Sequence, residues 1–344
     1  MASPNLSEIV TTTLRNRTGN LADNVTRNNA LLMYMKRKNY IKTFSGGRTI
    51  VQEINYANNR TYTRYSGYEL LNIAPSDTMT AAEFAIRQMA VAISISGLEQ
   101  LQNAGEEQVI DLLEARMTNA DETLANGIAY DMYSDGSLTG QINGLAALVS
   151  ASPTSGTVGG IDRATWTFWQ NKKFAGVADG GAAVSPANIR DYMNRLMVQL
   201  VRGRDGPDLA ITGSTYYSYF VSSLEAIQRI ADDKSPLTAS EFPFVSYMGG
   251  GKRLDVVLDG GFQGTTGDGN TFGTAGAGAV GGAPADRMWV LNSKYIHYRP
   301  HSARNCVPIG DDRVSVNQDA MVQLIGWAGN MTLSNAALQG ILVA

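Results

Sequence analysis

A single cysteine, Cys306, and two histidines, His297 and His301, are the only thiol and imidazole groups among 344 residues. One thiol forms no disulfide within its own chain, so the fold is expected to stand without one, as suits a reducing compartment. Pro300 lies between the histidines and breaks any helical ligand spacing, which argues against a metal centre. Cys306 has no base beside it in sequence and reads as inert rather than nucleophilic. No run reaches the roughly 20 apolar residues of a membrane span. The start, Met-Ala-Ser-Pro-Asn-Leu-Ser-Glu, lacks the basic and apolar regions of a signal peptide. Gly249-Gly-Gly-Lys252-Arg253 lacks the spacing and the Ser or Thr of a phosphate loop. Gly267-Asp-Gly-Asn270 lacks the spacing and the closing Glu of a calcium loop. Asp232-Asp233 and Asp311-Asp312 carry no catalytic pattern. These absences predict no cofactor, no metal and no enzyme. One more absence bears on assembly chemistry: no lysine occurs between Lys42 and Lys172.

What is present fits a folded chain of more than one domain, since 344 residues exceed what one core holds. Hydrophobic residues make up 44% and charged residues 17%, the balance of a globular protein with a modestly charged surface. The charge is uneven. Residues 1–43 hold seven cations, among them Lys36, Arg37, Lys38 and Lys42, against Glu8 and Asp23. That is +5, which leaves −8 for the rest of a chain whose net charge is −3. A basic arm on an acidic body points to a polyanion or an acidic partner. A solvated helix face is the equal alternative at this point.

Glu106 to Ser134 is the organising stretch. Val109, Leu113, Met117, Ala120, Leu124, Ile128 and Met132 recur at helical spacing and predict one long helix with a single buried face. Glu106 and Glu107 suit its first turn, and Gly136 suits a left-handed stop. Such a helix serves either an ordinary α+β enzyme core or the spine of an elongated subunit. Ahead of it, residues 5–42 read as short helices. Ile50, Ile54 and Tyr56 then alternate with polar residues, and Ala57-Asn-Asn-Arg60 has turn chemistry. The pattern predicts a hairpin whose return strand is Thr61 to Tyr65. A two-stranded ribbon with so few aliphatics has no core of its own and must dock on something. A strand is predicted over 81–96, a short helix over 98–104, and a strand or tight turn over Ile142–Val149. Trp166, Phe168, Trp169 and Phe174 read as a packing cluster under a loop.

From about 185 the pattern changes. Ser185 and Pro186 start a helix with the stripe Ile189, Met193, Leu196, Met197 and Leu200. Strands over 208–212, 254–258 and 288–291, with a helix from Ser214 to about Ile230, predict an α/β module. Residues 259–285 contain ten glycines and read as a flexible loop. Tyr295–Tyr298, Met321–Trp327 and Met331–Val343 read as further strands, the last tied into a sheet.

The order of these elements resembles the major capsid proteins of tailed bacteriophages, the Hong Kong 97-like shell fold. Residue strings are similar as well: Leu21-Ala-Asp-Asn-Val-Thr26, Asn29-Ala-Leu-Leu32, Gly46-Gly-Arg-Thr-Ile50, Tyr65-Ser-Gly-Tyr68, Ser96-Gly-Leu-Glu-Gln100, Gly159-Gly-Ile-Asp162 and Gln228-Arg229. The resemblance implies an α+β fold with an N-terminal arm at 1–45 and an extended β-hairpin loop at 46–80. It implies a peripheral domain at 81–184 with spine helix 106–134, an axial domain at 185–300, and a return to the peripheral domain at 301–344. The implied function is structural: pentamers and hexamers forming an icosahedral shell around packaged double-stranded DNA, in a virion assembled in the host cytoplasm. Implied partners are other copies of the chain, the DNA without sequence preference, and a portal protein, with separate scaffolding and decoration proteins as further candidates. No membrane is implied.

Some family members carry a scaffolding region ahead of the arm. This chain starts almost at the arm, so scaffolding is expected to be separate or absent. Inter-subunit contacts are expected from Arg48, Glu53, Tyr56, Arg60, Tyr62, Arg64 and Tyr65 on the loop and from Lys36, Arg37, Lys38 and Lys42 on the arm. Some shells of this kind are cross-linked through a loop lysine. The loop here has arginines instead, so a non-covalent shell is expected. The same fold also serves bacterial nanocompartment shells of the encapsulin type, which is the first alternative. A soluble α+β enzyme is the second.

Overall fold

The computed structural model describes residues 30–102, 112–225, 244–259, 283–309, 313–314 and 319–344. The expectations for the arm before residue 30, for the helix start at Glu106, Glu107 and Val109, and for the glycine-rich stretch 260–282 lie outside these residues. Helix α1 (Ala30–Arg37) leads by an extended segment to β1 (Thr49–Asn55). β2 (Met79–Ala85) pairs antiparallel with β1, Ile50 opposite Phe84 and Asn55 opposite Met79. A bend at Ile86 opens β3 (Arg87–Ser96), followed by α2 (Gly97–Gln102) and the long α3 (Leu112–Asp131). After a turn come α4 (Leu145–Leu148) and the two-residue strands β4 (Thr157–Val158) and β5 (Ile161–Asp162). β6 (Lys172–Ala175), α5 (Gly176–Gly180), α6 (Ile189–Leu200), β7 (Leu209–Thr212) and α7 (Ser214–Glu225) follow. The chain continues through β8 (Phe244–Gly249), β9 (Lys252–Leu258), β10 (Met288–Leu291) and β11 (Ile296–Pro300). It ends with β12 (Val307–Pro308), β13 (Arg313–Val314), β14 (Ala320–Leu333) and β15 (Gly340–Val343).

Two larger sheets carry the architecture. One has six strands in the order β6-β15-β10-β7-β9-β8. The other gathers β3, β11, β12 and β13 along the fourteen-residue β14. Side chains alternate across the six-stranded sheet, as a pleat requires. Ala210, Leu254, Val256, Met288, Val290 and Leu342 face the core under α6, where Ile189, Met193, Leu196, Met197 and Leu200 pack. Leu209, Ile211, Val257, Trp289, Leu291 and Ile341 face the other core, shared with Leu31 and Met35 of α1 and Ala120, Leu124 and Ile128 of α3.

Several expectations require correction. The return strand of the hairpin is β2, not Thr61–Tyr65. Ile50 and Ile54 need apolar partners on the same face, and Ala82 and Phe84 supply them, whereas the Thr-Tyr-Arg segment offers none. The expected strand over 81–96 is two strands in different sheets, because Asn330 Nδ2 donates to Ala85 O at 2.8 Å beside the bend. Helix α3 ends at Asp131 rather than Ser134. The chain turns there, and Leu145 N donates to Met132 O at 2.7 Å. Of the two expectations for 142–149, strand or tight turn, the strand does not form: the segment holds the one-turn helix α4. β8 was not foreseen. It forms a hairpin with β9 through Gly250 and Gly251, both at positive φ (57° and 74°), so the rejected phosphate-loop string is a two-residue turn that glycine makes possible. Met321–Trp327 and Met331–Val343 redistribute into one continuous β14 and a separate β15. β15 lies between β6 and β10 in the six-stranded sheet and not along β14, so residues 301–344 divide between the two sheets.

Candidate functional site

The hairpin has a rooted base and a free tip. At the base Ile50, Ile54, Ala82 and Phe84 are buried in the larger core, so the ribbon does have an apolar face, contrary to expectation. Glu83 N donates to Gly159 O at 2.9 Å. Gly159 sits at φ +59°, and a Cβ there would lie 2.8 Å from Ala82 Cβ, so only glycine allows this approach. Tyr56 closes the base: its ring lies 5.3 Å from Phe168 and 5.8 Å from Trp166, centroid to centroid. Of the four aromatics read as one cluster, Trp166, Phe168 and Trp169 stay together, with Phe168 and Trp169 6.2 Å apart, and Phe174 lies elsewhere. Trp166 and Phe168 brace the hairpin, Trp169 is buried and donates to Val158 O at 2.9 Å, and Phe174 joins Tyr192 under α6.

Beyond Tyr56 the chain leaves the body as an irregular loop to Thr78. Asn59 Oδ1 draws its neck together, accepting hydrogen bonds from Thr61 N, Thr61 Oγ1 and Ser76 Oγ at 2.8–3.0 Å. The tip is apolar and uncovered. Leu70 is 100% exposed and Ile73 91%, and Tyr62, Tyr65 and Tyr68 stand out as well. Of the predicted loop residues, Arg48, Glu53, Arg60, Tyr62, Arg64 and Tyr65 are exposed, while Tyr56 is engaged within the subunit. Among the described residues Arg48, Glu53, Arg60 and Arg64 form no ion pair. Sequence reasoning passed over Leu70, Leu71 and Ile73, although a cluster of three aliphatics in a polar loop was the available signal.

The arm residues divide as well. Lys36, Arg37 and Lys38 are exposed at the end of α1. Lys42 is tied to the body: its backbone N donates to Tyr298 O at 3.0 Å and its Nζ lies 3.3 Å from His297 Nε2. Burial first, then the positive charges of Lys42 and Arg299, push the His297 imidazole down to about 4, so it is neutral at pH 7. Helix α1 is anchored on the sheet by two carboxylates. Ala30 N donates to Asp259 Oδ2 at 3.2 Å, and Tyr34 OH donates to Asp208 Oδ2 at 3.1 Å. Burial, then the Asp208 and Asp255 carboxylates, push the Tyr34 phenol far above its usual value, so it remains a donor. Arg163 is buried, and burial alone pulls it to about 10. It stays protonated and donates to Leu148 O, stitching the 150–170 segment to α4.

Among the described residues no group of three His, Cys, Asp or Glu could hold a metal ion. No described helix is long and apolar enough to cross a membrane.

No protein-family model and no curated protein matches the sequence. Solved structures do match. The Cyanophage A-1(L) capsid asymmetric unit aligns over 94% of this chain and 94% of its own, with a TM-score of 0.63 at 13% identity. A structure from Mycobacterium phage Bobi aligns over 99% of both chains, with a TM-score of 0.52 at 13% identity. The capsid of Myoviridae phage XM1 aligns over 90% of this chain and 91% of its own, with a TM-score of 0.50 at 12% identity. The chain therefore has the mixed α/β fold of phage capsid proteins.

Proposed function

We propose that the chain is a major capsid protein of a tailed bacteriophage, a structural subunit that assembles as pentamers and hexamers into an icosahedral shell around double-stranded DNA. The observation that carries the reading is the loop 57–77: its base is built into the subunit core, while its apolar tip has nothing to cover it among the described residues. An uncovered apolar segment of this kind marks an interaction site, and a second copy is the partner the capsid fold supplies. In this reading residues 1–45 are the N-terminal arm and 46–80 the extended loop. The peripheral domain takes most of 81–184 and β14, with α3 as its spine. The axial domain takes most of 185–300 together with β6 and β15. A portal protein, scaffolding and decoration proteins remain partners by the same analogy, and the virion, assembled in the host cytoplasm, is the proposed location.

The test is electron microscopy of the expressed full-length chain and of its source particle. Icosahedral shells, DNA-filled with a tail vertex in the native particle, are the expected result. Small discrete particles under all conditions would overturn the reading. Shells loaded with an enzyme instead of a genome would transfer it to the nanocompartment alternative.

A further inference from the structure

The loop 57–77 leaves the body through a neck with one link across it. The last ladder bond of the hairpin runs from Tyr56 N to Thr78 O at 3.1 Å. Beyond it, one hydrogen bond crosses between the two limbs among the described residues: Ser76 Oγ donates to Asn59 Oδ1 at 3.0 Å. The same oxygen accepts from Thr61 N at 3.0 Å and from Thr61 Oγ1 at 2.8 Å. Thr61 and Ser76 are half-buried there, whereas the other residues from 58 to 77 are exposed. Pro75 precedes Ser76, and its ring fixes the backbone that delivers the hydroxyl.

Two smaller brackets shape the chain between the limbs. Glu69 Oε2 accepts from Ser66 N at 3.2 Å around Gly67, which stands at φ +64°. Asn72 Oδ1 accepts from Ala74 N at 3.0 Å. An asparagine that bonds the backbone two residues on is ordinary turn chemistry, and Asn72 does no more than that. Asn59 does more, since it also holds a residue 17 positions away.

A link at the neck changes what the tip can do. Without it, the segment from Asn59 to Ser76 samples many arrangements, and docking has to order it. With it, Tyr62, Tyr68, Leu70 and Ile73 stand on a loop that is already closed. Ordering completed before contact strengthens binding without adding any contact. The link also lies outside the buried set Ile50, Ile54, Ala82 and Phe84 that roots the hairpin, so its loss leaves the core untouched.

We propose that Asn59 is the positioning residue of the inter-subunit loop: by clasping Thr61 and Ser76 it pre-forms the tip that a second copy of the chain receives. The inference rests on the capsid reading. All three side-chain bonds enter through one acceptor oxygen, so aspartate can replace Asn59 and alanine cannot.

The test compares Asn59→Ala, Asn59→Asp, Ser76→Ala and the double variant Asn59→Ala with Ser76→Ala in the full-length chain. Trypsin acting on unassembled subunits reads the clasp alone, because Arg60 and Arg64 are exposed within the loop and cleavage follows the population of the opened form. Cutting after these arginines, identified by mass spectrometry, should quicken about two- to tenfold in Asn59→Ala, the span that one net hydrogen bond contributes. It should stay at the wild-type rate in Asn59→Asp. The protein concentration needed for shells, read by sedimentation and microscopy, should rise by a similar factor in Asn59→Ala and in Ser76→Ala and return to the wild-type value in Asn59→Asp. The double variant should be no worse than Asn59→Ala, since the two residues act through one bond. Circular dichroism melts of all variants should coincide with the wild type. Unchanged trypsin rates or an unchanged shell threshold in Asn59→Ala overturns the proposal. A raised threshold in Asn59→Ala beside a normal one in Ser76→Ala also overturns it, leaving Asn59 a local turn or a direct contact with the neighbour. A lowered melt in Asn59→Ala would make it a folding residue and has the same consequence. If the wild type forms no shells at all, it is the capsid reading that fails, and the trypsin comparison still decides the clasp.

Discussion

His297 shows how one residue couples charge to the arm. It is 6% exposed, with Lys42 and Arg299 beside it. The folded chain refuses a proton there until about pH 4, while the unfolded chain accepts one near pH 6.5. Above pH 6.5 both states are neutral at this site and stability is indifferent to it. Between pH 6.5 and about 4 the unfolded state binds the proton that the fold excludes, so stability falls as pH falls, by up to about 1.4 kcal/mol per unit. His297→Gln keeps an acceptor for Lys42 but does not titrate. Urea melts of the two proteins at pH 7, 5.5 and 4.5 should diverge toward acid, with the variant losing less. Parallel loss in both would show that His297 does not govern the acid response.

Asn330 is the other residue on which the geometry turns. Fully buried, it accepts from Asn143 N at 2.9 Å and donates to Ala85 O at 2.8 Å, joining the turn after α3 to the bend between β2 and β3. Asn330→Leu keeps the volume and leaves two backbone groups of part-buried bonds without their partner, each costing about 1–3 kcal/mol. A loss of about 2 kcal/mol or more in denaturant melts is expected. A neutral result would mean that the bend is held by strand pairing alone.

At the scale of elements, the base of the hairpin belongs to the subunit core, and its tip is the proposed assembly element. Deleting 58–76 and joining Ala57 to Asp77 through a short glycine linker leaves the β1–β2 register and the Tyr56 N to Thr78 O bond intact. The product should melt like the parent and form no shells. Deleting 46–79 instead removes β1 and its two buried isoleucines, each worth about 1.5–3 kcal/mol, and should destabilise the subunit outright. A folded tip-deleted protein that still forms normal shells would end the assembly role of the loop.

The same hairpin shows what could be read from the sequence. Ala120, Leu124, Ile128 and Met132 were legible because a helix face depends only on its own period. The partner of β1 was not, since Thr61–Tyr65 has strand chemistry and lies closer in sequence than Met79–Ala85. Pairing across that distance is decided by which segment completes a buried face. β15 posed the same difficulty, because nothing in Gly340–Val343 names β6 and β10 as its neighbours. The anchoring of α1 by Asp208 and Asp259, 174 and 229 residues away from their partners, left no local trace. Of the site, the exposed arginines and tyrosines of the loop were visible, but the engagement of Tyr56 and Lys42 within the subunit was not.

At the scale of the whole molecule, the question is what holds one copy to the next. A covalent link from the loop needs an amine, and a guanidinium is too weakly nucleophilic to replace it. The loop has none: Lys42 lies beside His297 on the body, and the next lysines, Lys172 and Lys173, lie on β6 at the edge of the six-stranded sheet. Exposed arginine pairs formed by Arg48, Arg60 and Arg64 would each contribute only about 0–1 kcal/mol. Each fully buried large apolar side chain contributes about 1.5–3 kcal/mol, so Tyr62, Tyr68, Leu70 and Ile73 outweigh the arginines if a neighbour covers them. Replacing those four by serine should therefore reduce shell yield more than replacing the three arginines by glutamine. Mature particles boiled in denaturing buffer should run as one band near 36.9 kDa. A ladder of covalent multimers would refute the non-covalent shell and direct attention to Lys42, Lys172 and Lys173 as the amine donors.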